Sequence, residues 1–334
     1  MAGSLREPEA GTCRQSEEMS PADRGLSELV IGFDHPSCEL TSFAGGKGAS
    51  LSRMARVGLP VPDGFVVCAS TLETAISTAG RLEEVGRLLA SVTDADPGVA
   101  TTVRDIVLSL EPAPEVTAAI EQSYAQLGLD EPVAVRSSAC AEDSEAASFA
   151  GQQETYLNVR GAHDVLEKVR ECWASFFSER ALFYRSRKGS LADLGMAVVI
   201  QRQLMPEKSG VMFTIDPVRR RRDQMVIEAV WGLGEAVVSG RVTPDHYVVA
   251  RDGSVKHMKV SVQPFAIVPL PEGGTEEREL APEQGGARVL DDSELAELAE
   301  LGGKLQAHFG GPQDVEWAFQ NGRLYLLQSR PVTA

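Results

Sequence analysis

The segment DVEWAFQNGRLYLLQSR, residues 314–330, carries the pattern that decides the fold of the C-terminal part of the chain. Polar and apolar residues alternate before the Asn-Gly pair, and apolar residues recur after it, as in two antiparallel strands joined by a tight turn. On the first strand, the alternation places Asp314 and Glu316 on one face. On the second strand, Gln328 and Arg330 share a face with each other.

The length of the loop decides whether these polar pairs meet. A two-residue Asn-Gly turn would pair Glu316 with Leu327 and direct Gln328 to the other face, whereas a three-residue loop would bring Glu316 and Gln328 to one face. We predict the three-residue loop, because a carboxylate and an amide oxygen on one face suit Mg²⁺. The alternative is an ordinary hairpin with a solvated polar face. Leu324 and Leu326 favour that alternative, since they share the parity of Gln328.

A glycine-rich turn, GGKGAS at residues 45–50, opens an amphipathic segment that ends near Gly58. Glycines let a backbone approach phosphate oxygens, and the N-terminus of a helix offers free N–H groups. Lys47 would add a positive charge. The spacing is not that of a P-loop, because Thr41 stands where the first glycine is needed. The alternative is a plain glycine turn with a solvated lysine.

Arg136 ends a short apolar strand that begins at Val133. An arginine at the end of a strand can donate two hydrogen bonds to one phosphate. The residues that follow it, 137–153, are mainly small and polar, and a loop of this kind can close over a ligand. The alternative is a surface hairpin loop.

A short connector, Gln201–Met205, follows the apolar strand that begins at Met196. A strand that leaves the core into such a connector can offer backbone groups to an adenine ring, and Leu204 and Met205 could cover the ring. We include Gln201 and Gln203 in this candidate. Most segments of this type are simply part of a core.

Composition limits the classes of partner. The net charge is −16, from 32 basic and 48 acidic residues, so the chain lacks the basic surface that nucleic acid requires. An anionic ligand such as ATP must then be held by a few local cations, with Mg²⁺ assisting. The five cysteines and five histidines show no metal-ligand spacing, which indicates a reduced, cytoplasmic protein without structural zinc. No apolar run approaches the ~20 residues of a membrane helix.

We predict an α+β fold with two lobes, residues 26–194 and residues 195–334, after a disordered leader at residues 1–25. The boundary follows a change to β-branched composition near Gly195. Among the predicted elements, residues 163–187 form one long helix and residues 269–286 form an exposed loop.

The chain from about residue 40 to residue 334 resembles the N-terminal ATP-binding domain of phosphoenolpyruvate synthase, pyruvate, phosphate dikinase and rifampin phosphotransferase. Six motifs in a fixed order carry the resemblance, and they lie at residues 45–48, 134–138, 149–152, 210–214, 228–235 and 327–331. The resemblance implies an ATP-grasp fold, with ATP bound between the two lobes.

The resemblance also implies roles for individual residues. Lys47 and Arg136 match phosphate-binding residues, and we assign their neighbours Gly46 and Ser137 with them. Glu316 and Gln328 match Mg²⁺ ligands, Asp314 belongs to the same metal site, and Arg330 matches a residue that contacts the transferring phosphate. The loop at Ala150 and Gly151 would cover the phosphates, and the connector Gln201–Met205 would face adenine.

In the family that the chain resembles, ATP yields AMP, and the β-phosphoryl group passes to a histidine on a swivelling domain and then to a final acceptor. No histidine of this chain lies in a Thr-Ser-His-type motif, so we expect the acceptor histidine on another polypeptide or in another part of a longer protein. The final acceptor could be pyruvate, an antibiotic or another hydroxyl compound. The alternatives are a stand-alone small-molecule kinase that produces ADP, a carbohydrate-directed dikinase and a non-catalytic nucleotide-binding module.

Overall fold

The computed structural model describes residues 29–92, 98–128, 130–140, 154–188, 194–219 and 221–332. The leader predicted at residues 1–25 lies outside these ranges. Five strands form the first sheet: β1 (Val30–Gly32), β2 (Gly64–Val67), β3 (Val133–Ala139), β4 (Thr155–Val159) and β5 (Met196–Arg202). They pair antiparallel in the order β1-β2-β5-β3-β4.

Helices cover both faces of this sheet, because the side chains of each strand alternate between two apolar layers. Helix α1 (Thr41–Arg56) packs on the face that carries Ala197 and Val199. Val198 and Ile200 point to the opposite face, where Trp173 is fully buried. The remaining helices before β5 are α2 (Ser70–Thr78), α3 (Leu82–Ala90), α4 (Gly98–Leu108), α5 (Pro114–Leu127), α6 (Ala162–Ser175) and α7 (Glu179–Lys188).

The second sheet has six strands and a separate hairpin beside it. The strands that follow β5 are β6 (Lys208–Phe213), β7 (Gln224–Trp231), β8 (Asp245–Ala250), β9 (Val255–Lys259), β10 (Phe265–Pro269), β11 (Thr275–Glu279), β12 (Gln313–Gln320) and β13 (Arg323–Pro331). The sheet order is β13-β12-β6-β7-β8-β9, and β10 pairs with β11 in the separate hairpin. The helices in this part are α8 (Glu235–Val238), α9 (Pro282–Gly285) and α10 (Asp292–Phe309).

Helix α10 supports the second sheet. Its Leu298 and Leu305 belong to the same buried cluster as Trp317 and Phe319 of β12. Asp291 caps the helix: its side chain accepts from the Glu294 N–H, and the Glu294 side chain accepts from the Asp291 N–H. This mixture of helices and antiparallel sheets confirms the predicted α+β class. Among the described helices, none is both long enough and apolar enough to cross a bilayer.

The prediction of one helix over residues 163–187 is wrong. Helix α6 ends in tight turns in which Phe176, Phe177 and Ser178 bond to carbonyls three residues back. Ser178 then starts α7, because its hydroxyl accepts from the Ala181 N–H at 3.4 Å. The break lets Phe177 enter the core, where it is fully buried.

Two further predictions are corrected. Residues 269–286 are not one exposed loop, since β11 pairs with β10 and α9 follows it; the largely charged TEERE of β11 gave no apolar period by which to find it. The run that starts at Met196 belongs to the first sheet, where β5 lies between β2 and β3. The composition change near Gly195 marks a central strand with both faces buried, and the chain crosses to the second sheet only after Arg202.

Candidate functional site

The glycine turn is a break in helix α1, and strand β3 fixes its position. Gly45 has φ 66° and ψ 178°, so the helical path restarts at Gly46. A Cβ at Gly45 would lie 2.1 Å from the Ser138 carbonyl oxygen, which excludes any side chain there. The Ser138 hydroxyl donates to the Ala44 carbonyl at 2.8 Å and accepts from the Gly48 N–H at 3.2 Å.

Lys47 lies in the first turn of the restarted helix and is buried, with 6% of its surface exposed. Its Nζ donates to the carbonyl oxygen of Ser137 at 3.0 Å. The ammonium group is therefore held beside the residue that follows Arg136. The Ser137 hydroxyl points elsewhere and donates to the Glu154 carbonyl at 3.3 Å. The atom of Ser137 that accepts from Lys47 is therefore its backbone carbonyl oxygen.

Arg136 joins the two sheets. Its Nη2 donates to Glu316 Oε2 at 2.8 Å and to Gln328 Oε1 at 2.7 Å, and its Nη1 donates to the Leu327 carbonyl at 2.9 Å. The arginine side chain is 8% exposed, whereas that of Glu316 is 31% exposed. A cation of the first sheet thus lies against oxygen atoms of the second.

The hairpin turn differs from the prediction, although Glu316 and Gln328 do share a face. Gln320 pairs with Arg323, so the loop has the two residues Asn321 and Gly322, with φ 53° and 71°. The three-residue loop is therefore wrong. A register shift follows Glu316, which pairs with Gln328 while the next residue pairs with Leu326.

Leu327 is consequently a bulge residue, and it reverses the parity of the return strand. Leu324 and Leu326 lie opposite Phe319 and Trp317 and are buried in the core. They do not share the face of Glu316, so they give no support to the alternative of a solvated hairpin.

The oxygens of Glu316 and Gln328 fit a divalent cation. Both approach one nitrogen of Arg136 within hydrogen-bond distance, so they already converge on a positive group. A carboxylate and an amide oxygen are suitable ligands for Mg²⁺. Metal bound to both oxygens would have to displace the Arg136 Nη2 group.

Asp314 and Arg330 form the outer end of the same face. They are paired in register, and Arg330 Nε donates to Asp314 Oδ2 at 2.9 Å. Burial raises the pKa of Asp314, and the charge of Arg330 opposes this effect. The Arg330 side chain is 64% exposed, which leaves most of it open to a ligand.

The connector residues lie farther along the first sheet. Gln201 pairs with Ala134, two residues from Arg136 on β3, so its buried side chain lies on the same face as Arg136. Gln203 Oε1 accepts from the Asn158 N–H at 3.3 Å. Leu204 and Met205 follow; Leu204 is buried and Met205 is exposed.

The structure brings together most of the residues that were predicted to bind phosphate or metal, and their roles stay predictions. Ala150 and Gly151, assigned to the covering loop, lie outside the described residues. Gly46 follows the helix break, directly before Lys47.

Sequence reasoning missed polar groups that reach this face through sheet register. Glu228 of β7 pairs with Val211, which pairs with Glu316, so the two carboxylates lie on one face. His246 Nδ1 lies 3.6 Å from Glu228 Oε1. The alternation of polar and apolar residues along β7 and β8 indicates that Glu228 and His246 lie on a polar face. It does not give the order of the strands, which is what places this face beside Glu316.

Comparison with known proteins identifies relatives. The family model described as "Pyruvate phosphate dikinase, AMP/ATP-binding domain" matches residues 41–334. A probable phosphoenolpyruvate synthase of Methanothermobacter thermautotrophicus is 43% identical over 325 residues, which cover 94% of this chain and 47% of the relative. Rifampicin phosphotransferase of Bacillus subtilis is 37% identical over 314 residues, which cover 92% of this chain and 36% of the relative.

The chain therefore spans less than half the length of these relatives. Among solved structures, the ATP-grasp ligase PsnB complexed with a precursor peptide and AMPPNP is 11% identical, with a TM-score of 0.26, over 90% of this chain and 54% of that chain. That likeness is too distant to support an argument. The match over residues 41–334 does establish the family: this chain belongs to the pyruvate phosphate dikinase AMP/ATP-binding domains.

Proposed function

We propose that the chain binds Mg·ATP between its two sheets and supplies a phosphoryl group in a dikinase-type phosphotransferase. The observation that carries the proposal is the contact of Arg136 with Glu316 and Gln328 across the two sheets. A phosphate-binding cation and a pair of metal-binding oxygens at one point are what a metal–phosphate complex requires.

Each predicted residue has a role in this proposal. Lys47 and Arg136 neutralise phosphate oxygens, and Arg330 contacts the phosphate that is transferred. Glu316 and Gln328 would hold Mg²⁺, with Asp314 beside them, and the ion would offset negative charge on the phosphates. Catalysis by these residues would consist of positioning and charge neutralisation rather than covalent chemistry.

Membership of this family supports a proposal about the products. We propose that ATP yields AMP, that the β-phosphoryl group passes to a histidine on a separate domain or protein, and that a small hydroxyl compound such as pyruvate or an antibiotic then accepts it. A second candidate, a stand-alone kinase, would leave ADP. Chromatography of the nucleotides after incubation with the histidine-bearing partner distinguishes AMP from ADP.

The first experiment is thermal and urea unfolding with and without Mg·ATP. Ligand at 100 times its Kd should stabilise the wild type by about 2.7 kcal/mol. Lys47→Met and Glu316→Gln should each lose most of this stabilisation, because they remove a buried cation and a metal ligand. Lys304→Met is the matched control, since Lys304 is an exposed lysine on α10 whose ammonium pairs with Glu300.

The control variant should respond to Mg·ATP as the wild type does. If the wild type shows no stabilisation at millimolar Mg·ATP, or if Lys47→Met and Glu316→Gln respond fully, the proposed site is wrong. A non-catalytic nucleotide-binding module would bind Mg·ATP normally and transfer no phosphoryl group to any histidine-bearing partner.

A further inference from the structure

Three segments meet at Asn158, a residue of β4 that is completely buried. Its Nδ2 donates to the carbonyls of Leu270 and Gly274 at 2.6 and 2.7 Å, and both residues lie in the turn between β10 and β11. Its carbonyl oxygen accepts from the Gly274 N–H at 3.2 Å. Its own N–H donates to Gln203 Oε1, in the connector between the sheets.

The geometry fixes the orientation of the Asn158 amide. Only the NH₂ group can donate to two carbonyl oxygens, so Oδ1 must face the other way. Within the described residues, Oδ1 is buried and has no hydrogen-bond donor. The backbone of Asn158 is also unusual, with φ 55° at a bulge in the pairing of β3 and β4. At this position β4 is irregular and the buried Oδ1 of Asn158 lacks a donor. The bonds from Asn158 to the turn and to the connector are therefore formed at the expense of a regular strand and of one hydrogen bond.

These contacts of Asn158 lie at the opposite end of the candidate site from Arg136, the residue proposed to bind phosphate. Arg136 pairs with Val199 on β5, and Gln203 follows four residues later along the extended chain, about 13 Å away at ~3.3 Å per residue. A nucleoside triphosphate carries its phosphates at one end and its base at the other. With the phosphates at Arg136, the base would reach the connector that Asn158 holds.

A second contact supports the same attachment. Leu157, the residue before Asn158, packs against the buried cluster of Val230 and Ile267 in the second lobe. The edge strand β4 is therefore fastened to the second lobe by one apolar and several polar contacts, at the base end of the proposed cleft.

We propose that Asn158 is a positioning residue for the nucleobase: its side-chain amide fastens the β10–β11 turn to the first sheet, beside the connector residue Gln203 that its backbone N–H holds, so that the side chain governs binding of the base and not of the triphosphate. The inference rests on the proposed function. It assigns Asn158 no direct contact with ATP.

Inorganic tripolyphosphate separates the two parts of the ligand, because it carries the phosphates without the base. Titration calorimetry would give Kd values for Mg·ATP and Mg·tripolyphosphate with the wild type, Asn158→Gly and Asn321→Gly. Asn158→Gly keeps a backbone that accepts positive φ and removes only the side-chain bonds. Asn321→Gly is the matched control, since Asn321 is also an asparagine at positive φ, φ 53°, but its turn is exposed.

Asn158→Gly should weaken Mg·ATP by about tenfold, the scale of two lost hydrogen bonds, and change Mg·tripolyphosphate by less than about twofold. Asn321→Gly should leave both affinities unchanged. Hydrogen exchange on the wild type gives a measurement that needs no variant: the amides of Asn158 and Gly274 should become more protected with Mg·ATP but not with Mg·tripolyphosphate.

Equal losses for the two ligands in Asn158→Gly, or an unchanged Kd for Mg·ATP, would overturn the inference while leaving the proposed function intact. Equal protection of the two amides by both ligands would also overturn it. A wild type that binds neither ligand would overturn the proposed function, and the inference with it.

Discussion

Replacement of Arg136 by methionine should produce a protein that binds free divalent metal better than the wild type does. In the structure, Arg136 supplies the positive charge between Glu316 and Gln328. Arg136→Met keeps much of the side-chain volume and removes that charge. The two oxygens then lose their cationic partner, and a metal ion no longer has to displace it.

The size of the effect on stability follows from the contacts. Arg136 makes three hydrogen bonds at its 8% exposed side chain, and one of them is an ion pair with the 31% exposed Glu316. Hydrogen bonds to charged groups contribute about 1.5–3 kcal/mol each, but water can reach Glu316 and replace part of what is lost. We therefore expect Arg136→Met to lower the free energy of unfolding by about 2–4 kcal/mol.

Mn²⁺ should reverse part of this loss, because a carboxylate and an amide oxygen suit it and its binding can be followed by electron paramagnetic resonance. Urea unfolding of Arg136→Met with Mn²⁺ at 100 times its Kd should show about 2.7 kcal/mol of added stability. The double variant Arg136→Met/Glu316→Gln should lose that rescue. Arg323→Met is the control, since Arg323 lies exposed on the same hairpin.

The reasoning would be refuted if wild type and Arg136→Met bound free Mn²⁺ with the same affinity. It would also be refuted if the rescue survived in the double variant, because the metal would then be bound somewhere other than at Glu316. Arg323→Met should change the free energy of unfolding by less than about 0.5 kcal/mol and gain no Mn²⁺ site.

Two further predictions concern the supports of the site. Gly45→Ala should lower the free energy of unfolding by at least about 3 kcal/mol, since its Cβ would lie 2.1 Å from the Ser138 carbonyl oxygen, whereas Gly58→Ala, at φ 75° with nothing within 4 Å, should cost only about 1 kcal/mol in urea unfolding. Asp291→Ala should cost about 1 kcal/mol at pH 7. Hydrogen bonds from the Ser293 hydroxyl and the Glu294 N–H lower the pKa of Asp291 below its usual 3.8, so this contribution is present above pH 3.8 and is lost as the pH falls through the lowered pKa. A cost of Asp291→Ala that is the same at pH 7 and pH 3 would contradict the cap.

The parts of the fold that depend on local patterns could be predicted from the sequence. The buried strand from Met196 and the capped helix α10 can each be recognised within a window of about 15 residues, from the spacing of apolar residues and from the residue types at the ends of the element. Strand β11 could not be found in this way, because its TEERE sequence has no apolar face and depends on the backbone of β10. Local patterns also gave no strand order, so β5 was placed in the wrong lobe.

The candidate site divides along the same line. Lys47, Arg136, Glu316 and Gln328 were proposed from local motifs, but no local signal joins Arg136 to Glu316, which are 180 residues apart in the chain. Asn158 was missed for the same reason. Its two partner segments are distant in sequence, and an asparagine near the end of a short strand is unremarkable until the turn at residues 270–274 packs against it.

The bulge at Leu327 explains why Glu316 and Gln328 share a face although the predicted loop length was wrong. Parity along a strand is preserved only while the ladder is regular, so a two-residue turn and one inserted residue give the same facing as an odd loop. The bulge has a second effect, because the inserted residue has no cross-strand partner on β12 and its carbonyl oxygen accepts from Arg136 Nη1 at 2.9 Å. A regular strand would have turned Gln328 away from Glu316. One irregular residue therefore both places the side-chain oxygens of Glu316 and Gln328 on one face and helps to hold Arg136, which faces them.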